Sequence, residues 1–166
     1  MGVVPGRLQT AQYAEVVVRA AALDRSEESI RQRVQTRLER QRRVLPEAGT
    51  NFSAMIDEGA LTRLVGGPAV MQDQLKTLVT APELPNVSIR VVPFAAGPLP
   101  TNKFIILTFD GPPGLVFLES PTGQPVLERE SDLEPYHDAY AVLEELALPA
   151  GGSYESLLKL QREYQT

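Results

Sequence analysis

Three groups of residues in this chain have the types and spacing to do chemistry. Arg37, Arg40 and Gln41 follow i, i+3, i+4 spacing, which sets them on one side of a helix. Arginine offers a planar fork of donors. The trio therefore reads either as a polar cluster facing a pocket or a partner carboxylate, or as a solvated face beside Glu39 and Arg42. Asp57 and Glu58 stand where a strand gives way to a helix. A carboxylate there caps the first turn, or pairs with Arg37 or Arg40 across the domain. Glu119 follows the apolar run 115–118 and shares a strand face with Leu115 and Phe117. Taken out of water it would serve as a ligand contact or a general base; at a strand end it simply meets solvent.

His137 is the one histidine and lies between Tyr136 and Asp138 on an acidic helical stretch. It reads as a proton shuttle or as a surface residue. The catalytic candidates are thus Glu119 first, then Asp57, Glu58 and His137. The candidates for holding a ligand or partner are Arg37, Arg40, Gln41, Phe104, Phe117 and Glu119. The Gly/Pro-rich loop 95–102 is expected to form a lid over an apolar cavity walled by the strands around Phe104 and Phe117. Gly66-Gly67-Pro68 opens a helix and reads as turn geometry, with anion binding by its backbone as the other reading.

Composition narrows the chemistry. With no cysteine there are no disulfides and no thiolate metal sites, and one histidine rules out a multi-histidine centre. No cofactor and no metal are expected, and no nucleophile elbow accompanies the histidine. No apolar run approaches the roughly 20 residues that span a bilayer, and no secretory signal is visible. The expected compartment is the cytoplasm, with no membrane contact. Net charge is −5, which argues against a general phosphate-binding field and against direct binding of nucleic acid. The charge is uneven: residues 1–43 hold nine arginines against five acids, whereas residues 110–166 hold eleven acids against three basic residues.

The elements that must position these residues follow from periodicity. Residues 9–22 and 26–44 read as helices, the second with the apolar line Ile30, Val34, Leu38 and Leu45 and with Pro46 as its stop. Asp24-Arg25-Ser26-Glu27 reads as a capping box between them. Residues 51–57 alternate as a half-buried strand. A short helical turn over 58–64 and a helix over 69–80 follow, with Val70, Met71, Leu75 and Leu78 inward. Strands are expected at 87–92, 103–109, 115–118 and 125–128, and their short connections predict antiparallel hairpins. Helices close the chain at 131–146 and 153–164, separated by Pro149-Ala150-Gly151-Gly152. At 166 residues one domain is expected. Its class is α+β: a small, mostly antiparallel sheet with helices packed on it, and helix pairs at the N- and C-terminal ends.

Several segments carry a resemblance. Pro5-Gly6 through Ala14, Arg37-Leu38-Glu39-Arg40-Gln41, Asp57-Glu58-Gly59-Ala60-Leu61, Val65-Gly66-Gly67, Met71 through Leu75, the stretch 84–93, and Phe104, Leu107 and Phe109 followed by Val116-Phe117-Leu118-Glu119 run in order. Together they resemble DUF5753, the C-terminal domain of actinobacterial XRE-type helix-turn-helix transcriptional regulators, over roughly residues 3–164. Arg7 stands where leucine is frequent in that family, Phe117 where tyrosine is usual, and the loop after Pro93 has no histidine. The resemblance implies an effector or sensor domain that binds a small apolar ligand or a small DUF397-like partner protein, here without the DNA-binding half, and with homo-oligomers open to it. The alternative is a stand-alone enzyme of natural product biosynthesis, a cofactor-independent cyclase or isomerase. Such catalysis needs only a shaped apolar pocket and one or two acids.

Overall fold

A computed structural model of the chain describes residues 2–21, 26–44, 50–101, 103–111, 114–118 and 125–164, with the backbone alone for 42–44. The elements are helix α1 (Ala11–Ala21), α2 (Glu27–Val44), strand β1 (Phe52–Asp57), α3 (Glu58–Thr62), α4 (Pro68–Thr80), β2 (Val87–Val92), β3 (Phe104–Leu107), β4 (Leu115–Leu118), β5 (Val126–Leu127), α5 (Glu130–Leu146) and α6 (Ala150–Glu163). They form two compact units, Met1–Phe94 with Leu148–Thr166, and Ala95–Ala147. The class is α+β. Among the described residues, no helix is long and apolar enough to cross a membrane.

In the first unit α1 packs on α2. Ser26 supplies the cap of α2, its Oγ accepting the Ser29 N–H at 3.3 Å, and Glu27 and Glu28 complement the positive end of the helix dipole. Asp24 and Arg25 of the expected capping box lie outside the described residues. At the surface Arg19 joins the two helices, its Nη2 donating to Glu15 Oε1 at 3.0 Å and to Glu27 Oε2 at 2.9 Å. Hydrogen bonds to Glu27 and Glu15 hold the Arg19 guanidinium above its ordinary value, and Arg19 holds the Glu27 carboxyl below its own.

β1 pairs with β2 in parallel, from Phe52 opposite Val87 to Asp57 opposite Val92. This differs from the antiparallel hairpin expected between 87–92 and 103–109, and the reason is on the outer edge of β2. The Leu148 N–H donates to the Val91 carbonyl at 2.8 Å. Ser153 Oγ accepts the Val91 N–H at 3.0 Å and donates to the Leu148 carbonyl at 3.0 Å. Arg90 Nε donates to the same carbonyl at 2.9 Å. The chain leading into α6 thus occupies the place a hairpin partner would need. Residues 58–86 supply the long crossover that parallel neighbours require.

α4 lies over this pair with Met71, Leu75 and Leu78 fully buried, packed with Ile56, Val87, Ile89, Val91, Leu157 and Leu160. Pro68 begins α4, where a missing N–H costs nothing. Gly66 and Gly67 before it hold φ of +71° and +95°, left-handed values that favour glycine. A side chain on Gly66 would also stand 3.0 Å from Val16 and Val70. α6 begins at Ala150 rather than 153, because Pro149 is a ready helix entry and the Ser153 N–H closes the first turn on its carbonyl at 2.8 Å.

In the second unit β3, β4 and β5 form an antiparallel sheet in that order, with α5 packed on β3 and β4. Phe104 meets Tyr136 of α5 with ring centroids 5.4 Å apart and planes tilted by 57°, a favoured aromatic geometry.

Candidate functional site

Two of the three polar residues singled out on α2, Arg37 and Gln41, converge on the N-terminal segment, residues 4–10, while the Arg40 side chain is exposed. Gln9 is 3 % exposed and uses both the nitrogen and the oxygen of its amide group. Its Nε2 donates to the Val4 carbonyl at 2.7 Å, and its Oε1 accepts from Arg37 Nη1 at 2.7 Å. Gln41 Nε2 donates to the Gly6 and Gln9 carbonyls at 2.6 and 2.8 Å. From α4, Gln74 spans the same segment: its Oε1 accepts the Thr10 N–H at 2.8 Å and its Nε2 donates to the Leu8 carbonyl at 2.7 Å. Tyr13 is fully buried and its hydroxyl accepts the Val4 N–H at 3.3 Å. Burial pushes the Tyr13 phenol above its ordinary value, partly offset by that bond and by the charge of Arg63.

This arrangement is structural. A buried polar group without a partner is costly, and these amides meet that requirement by serving the backbone of residues 4–10. Gln9 and Gln74 are the members that sequence patterning missed. A signal for Gln74 exists: with Met71, Leu75 and Leu78 it completes i, i+3, i+4, i+7 spacing along the buried stripe. An amide on such a stripe must be bonded.

The other candidates are distributed differently. Asp57 caps α3, its Oδ1 accepting the Gly59 N–H at 2.9 Å. Glu58 Oε2 accepts the Phe94 N–H at 2.7 Å. Phe104 and Phe117 stand on opposite faces of the three-stranded sheet: Phe117 is opposite Ile105 and Val126, and Phe104 is one residue out of phase. They therefore do not wall one cavity, as expected of them with the loop 95–102. His137 is exposed on α5. Glu119 lies outside the described residues, as does Asn102 of the loop.

One concave place does gather groups suited to recognition. At the carboxyl ends of β1 and β2, Gly59, Thr62, Arg63, Leu64 and Phe94 line a cleft of 470 Å³ open to solvent. Leu64 is 59 % and Phe94 62 % exposed. Two contacts fix where Phe94 sits. Glu58 holds its N–H, and a Cβ on Gly59 would lie 3.4 Å from its ring, so the ring rests on bare backbone. Among the described residues, no group of three or more acids and histidines is placed to hold a metal ion.

No curated protein and no solved structure matches this chain. A family model does match, that of DUF5753, a domain of unknown function, over residues 1–159. With nearly the whole chain matched, this protein belongs to the DUF5753 family.

Proposed function

We propose that the chain is a partner-binding domain, and that it engages its partner through Phe94, Leu64 and Arg63 at the carboxyl end of the parallel strands. The observation that carries this reading is Phe94: a large aromatic ring held at 62 % exposure by a bond from its own backbone to Glu58. Aromatic and arginine anchors dominate binding energy at protein interfaces. The cleft is open along one side, which favours a protein segment over an enclosed small molecule. In this reading the domain is the effector half of an XRE-type regulator, works in the cytoplasm, and takes a small DUF397-like protein as its partner. The net charge of −5 supports protein binding over contact with DNA.

Calorimetric titration with a DUF397-type protein tests the reading. Saturable binding is expected, weakened by about tenfold or more, ~1.4 kcal/mol, in Phe94→Ala. No binding, or equal binding by a folded Phe94→Ala variant, would overturn it.

A further inference from the structure

The two edges of the parallel pair in the first unit are finished differently. The Phe52 N–H donates to the Asn86 carbonyl at 2.8 Å. Along a strand the main-chain groups of successive residues point to opposite edges, so 52, 54 and 56 bond toward β2 while 53, 55 and 57 turn outward. On β2 the outward residue Val91 is answered on both sides, its carbonyl by the Leu148 N–H and its N–H by Ser153 Oγ. On β1 the outward N–H and C=O of Met55 meet no partner among the described residues. β2 is the one strand paired with β1 among the described elements. Ser53 is exposed and Met55 half-buried, so water reaches this edge. The usual guards of an edge strand are missing as well. Residues 52–57 include no proline and no lysine, and their register with β2 runs without a bulge.

We propose that a second copy of the chain pairs with this edge, β1 against β1, antiparallel about a two-fold axis at Met55. The product is one sheet of four strands in the order β2-β1-β1-β2. The strand is complementary to itself in this register. Each Met55 N–H donates to the Met55 carbonyl of the other copy, the hydrogen-bonded pair of an antiparallel ladder, and the two apolar side chains meet on one face. Asp57 is the single charge of the strand. It comes to stand opposite Ser53 of the second copy, so no like charges oppose each other. On the other face Ala54 comes beside Ile56 of the second copy, and the apolar strip under α4 runs on across the axis. A register centred on Asp57 would set two carboxylates face to face. One centred on Ser53 would carry Asp57 past the start of the other strand. Two strands are the least a sheet can have and four are among the commonest numbers. Because both copies use the same surface, the pairing closes as a dimer.

Sedimentation equilibrium of the purified chain from about 10 µM to about 1 mM tests the pairing. A reversible monomer–dimer equilibrium is expected. Met55→Pro removes an N–H that β2 does not use, and proline is tolerated on the solvent side of an edge strand. It should weaken the dimer at least tenfold while circular dichroism shows the fold kept. Met55→Lys places two like charges on the axis and should weaken it as much, which keeps the test decisive if the proline variant fails to fold. Single cysteines then read the register, since the chain has none of its own. Hydrogen-bonded antiparallel pairs set their Cα atoms about 5.5 Å apart, within reach of a disulfide. Met55→Cys should therefore cross-link readily on mild oxidation. Ser53→Cys should not, because its two copies would stand about 14 Å apart, four strand residues along the ladder. A monomer at every concentration, a dimer undiminished in the folded Met55 variants, or equal cross-linking through Ser53→Cys would overturn the proposal.

Discussion

In the first unit α4 sends Met71, Leu75 and Leu78 into a core where each is fully buried, and Gln74 on the same stripe is buried beside them. In the second unit the buried apolar residues among those described are Val116, Leu133, Ala139 and Ala147, of which Val116 alone is fully buried, while Ile105, Phe109, Val126 and Val142 stand more than 40 % exposed. Each unit has a sheet, but the two cover their sheets to different depths. The parallel pair has α6 against β2, and α4 shares one buried core with both. The antiparallel sheet has α5 on one face, and the register puts Ile105, Phe117 and Val126 together on the other. Burial per residue sets stability in small units, so the contrast makes the first unit the stable frame and the second the part that opens at lower cost.

Deleting matched leucines would break or sharpen this contrast most directly. Leu75→Ala in the first unit should cost about 4 kcal/mol, and Leu133→Ala in the second about 2 kcal/mol, because a site with half-exposed neighbours collapses more readily onto the void. Denaturant titration followed by amide exchange would check it. Equal costs, or stronger protection in residues 104–118 than in 71–78, would erase the distinction.

The next largest effect concerns the buried polar bonds of the first unit. Gln74→Leu keeps the volume but strands the Thr10 N–H and the Leu8 carbonyl. It should destabilise by about 3 kcal/mol, near the sum for two buried groups losing partners. A loss under about 1 kcal/mol would mean that water reaches these groups readily.

The smallest effect is at high pH. Burial raises the Tyr13 phenol, and burial followed by the charge of Glu163 raises that of Tyr164, both in the first unit. A folded value above the unfolded one means that folding favours the neutral phenol. The contribution is therefore whole below about pH 10 and is lost as pH climbs through the folded value. Melting temperature should fall above about pH 10, and less steeply in Tyr13→Phe. An identical slope in that variant would place the alkaline sensitivity elsewhere.

How much of this could be read from sequence depends on what a pattern encodes. α2 and α4 were readable because an apolar line at helical spacing, a stop at Pro46 and an entry at Pro68 are local signals. β1 was readable from its alternation, since Ala54 and Ile56 are buried and Ser53 exposed. Its pairing was not, because a half-buried strand alternates in the same way in either direction. The partner of β2 depends on Leu148 and Ser153, about sixty residues away, which claim its outer edge. Gly151-Gly152 read as a separator because glycine weakens a helix, yet Pro149 and Ser153 hold that turn. Arg37 and Gln41 were readable as a polar cluster but not as a clasp on residues 4–10, since nothing local to α2 reveals what it faces.

The clasp has a mechanical consequence. Val4, Gly6, Leu8, Gln9 and Thr10 are gripped by their backbones, through side chains anchored in α1, α2 and α4. A tension applied at Val4 would load these anchors in parallel rather than one after another. Grips that share a load let go together, so the segment behaves as a tie rod and not as a zipper: rigid up to a threshold force, then released in a single step.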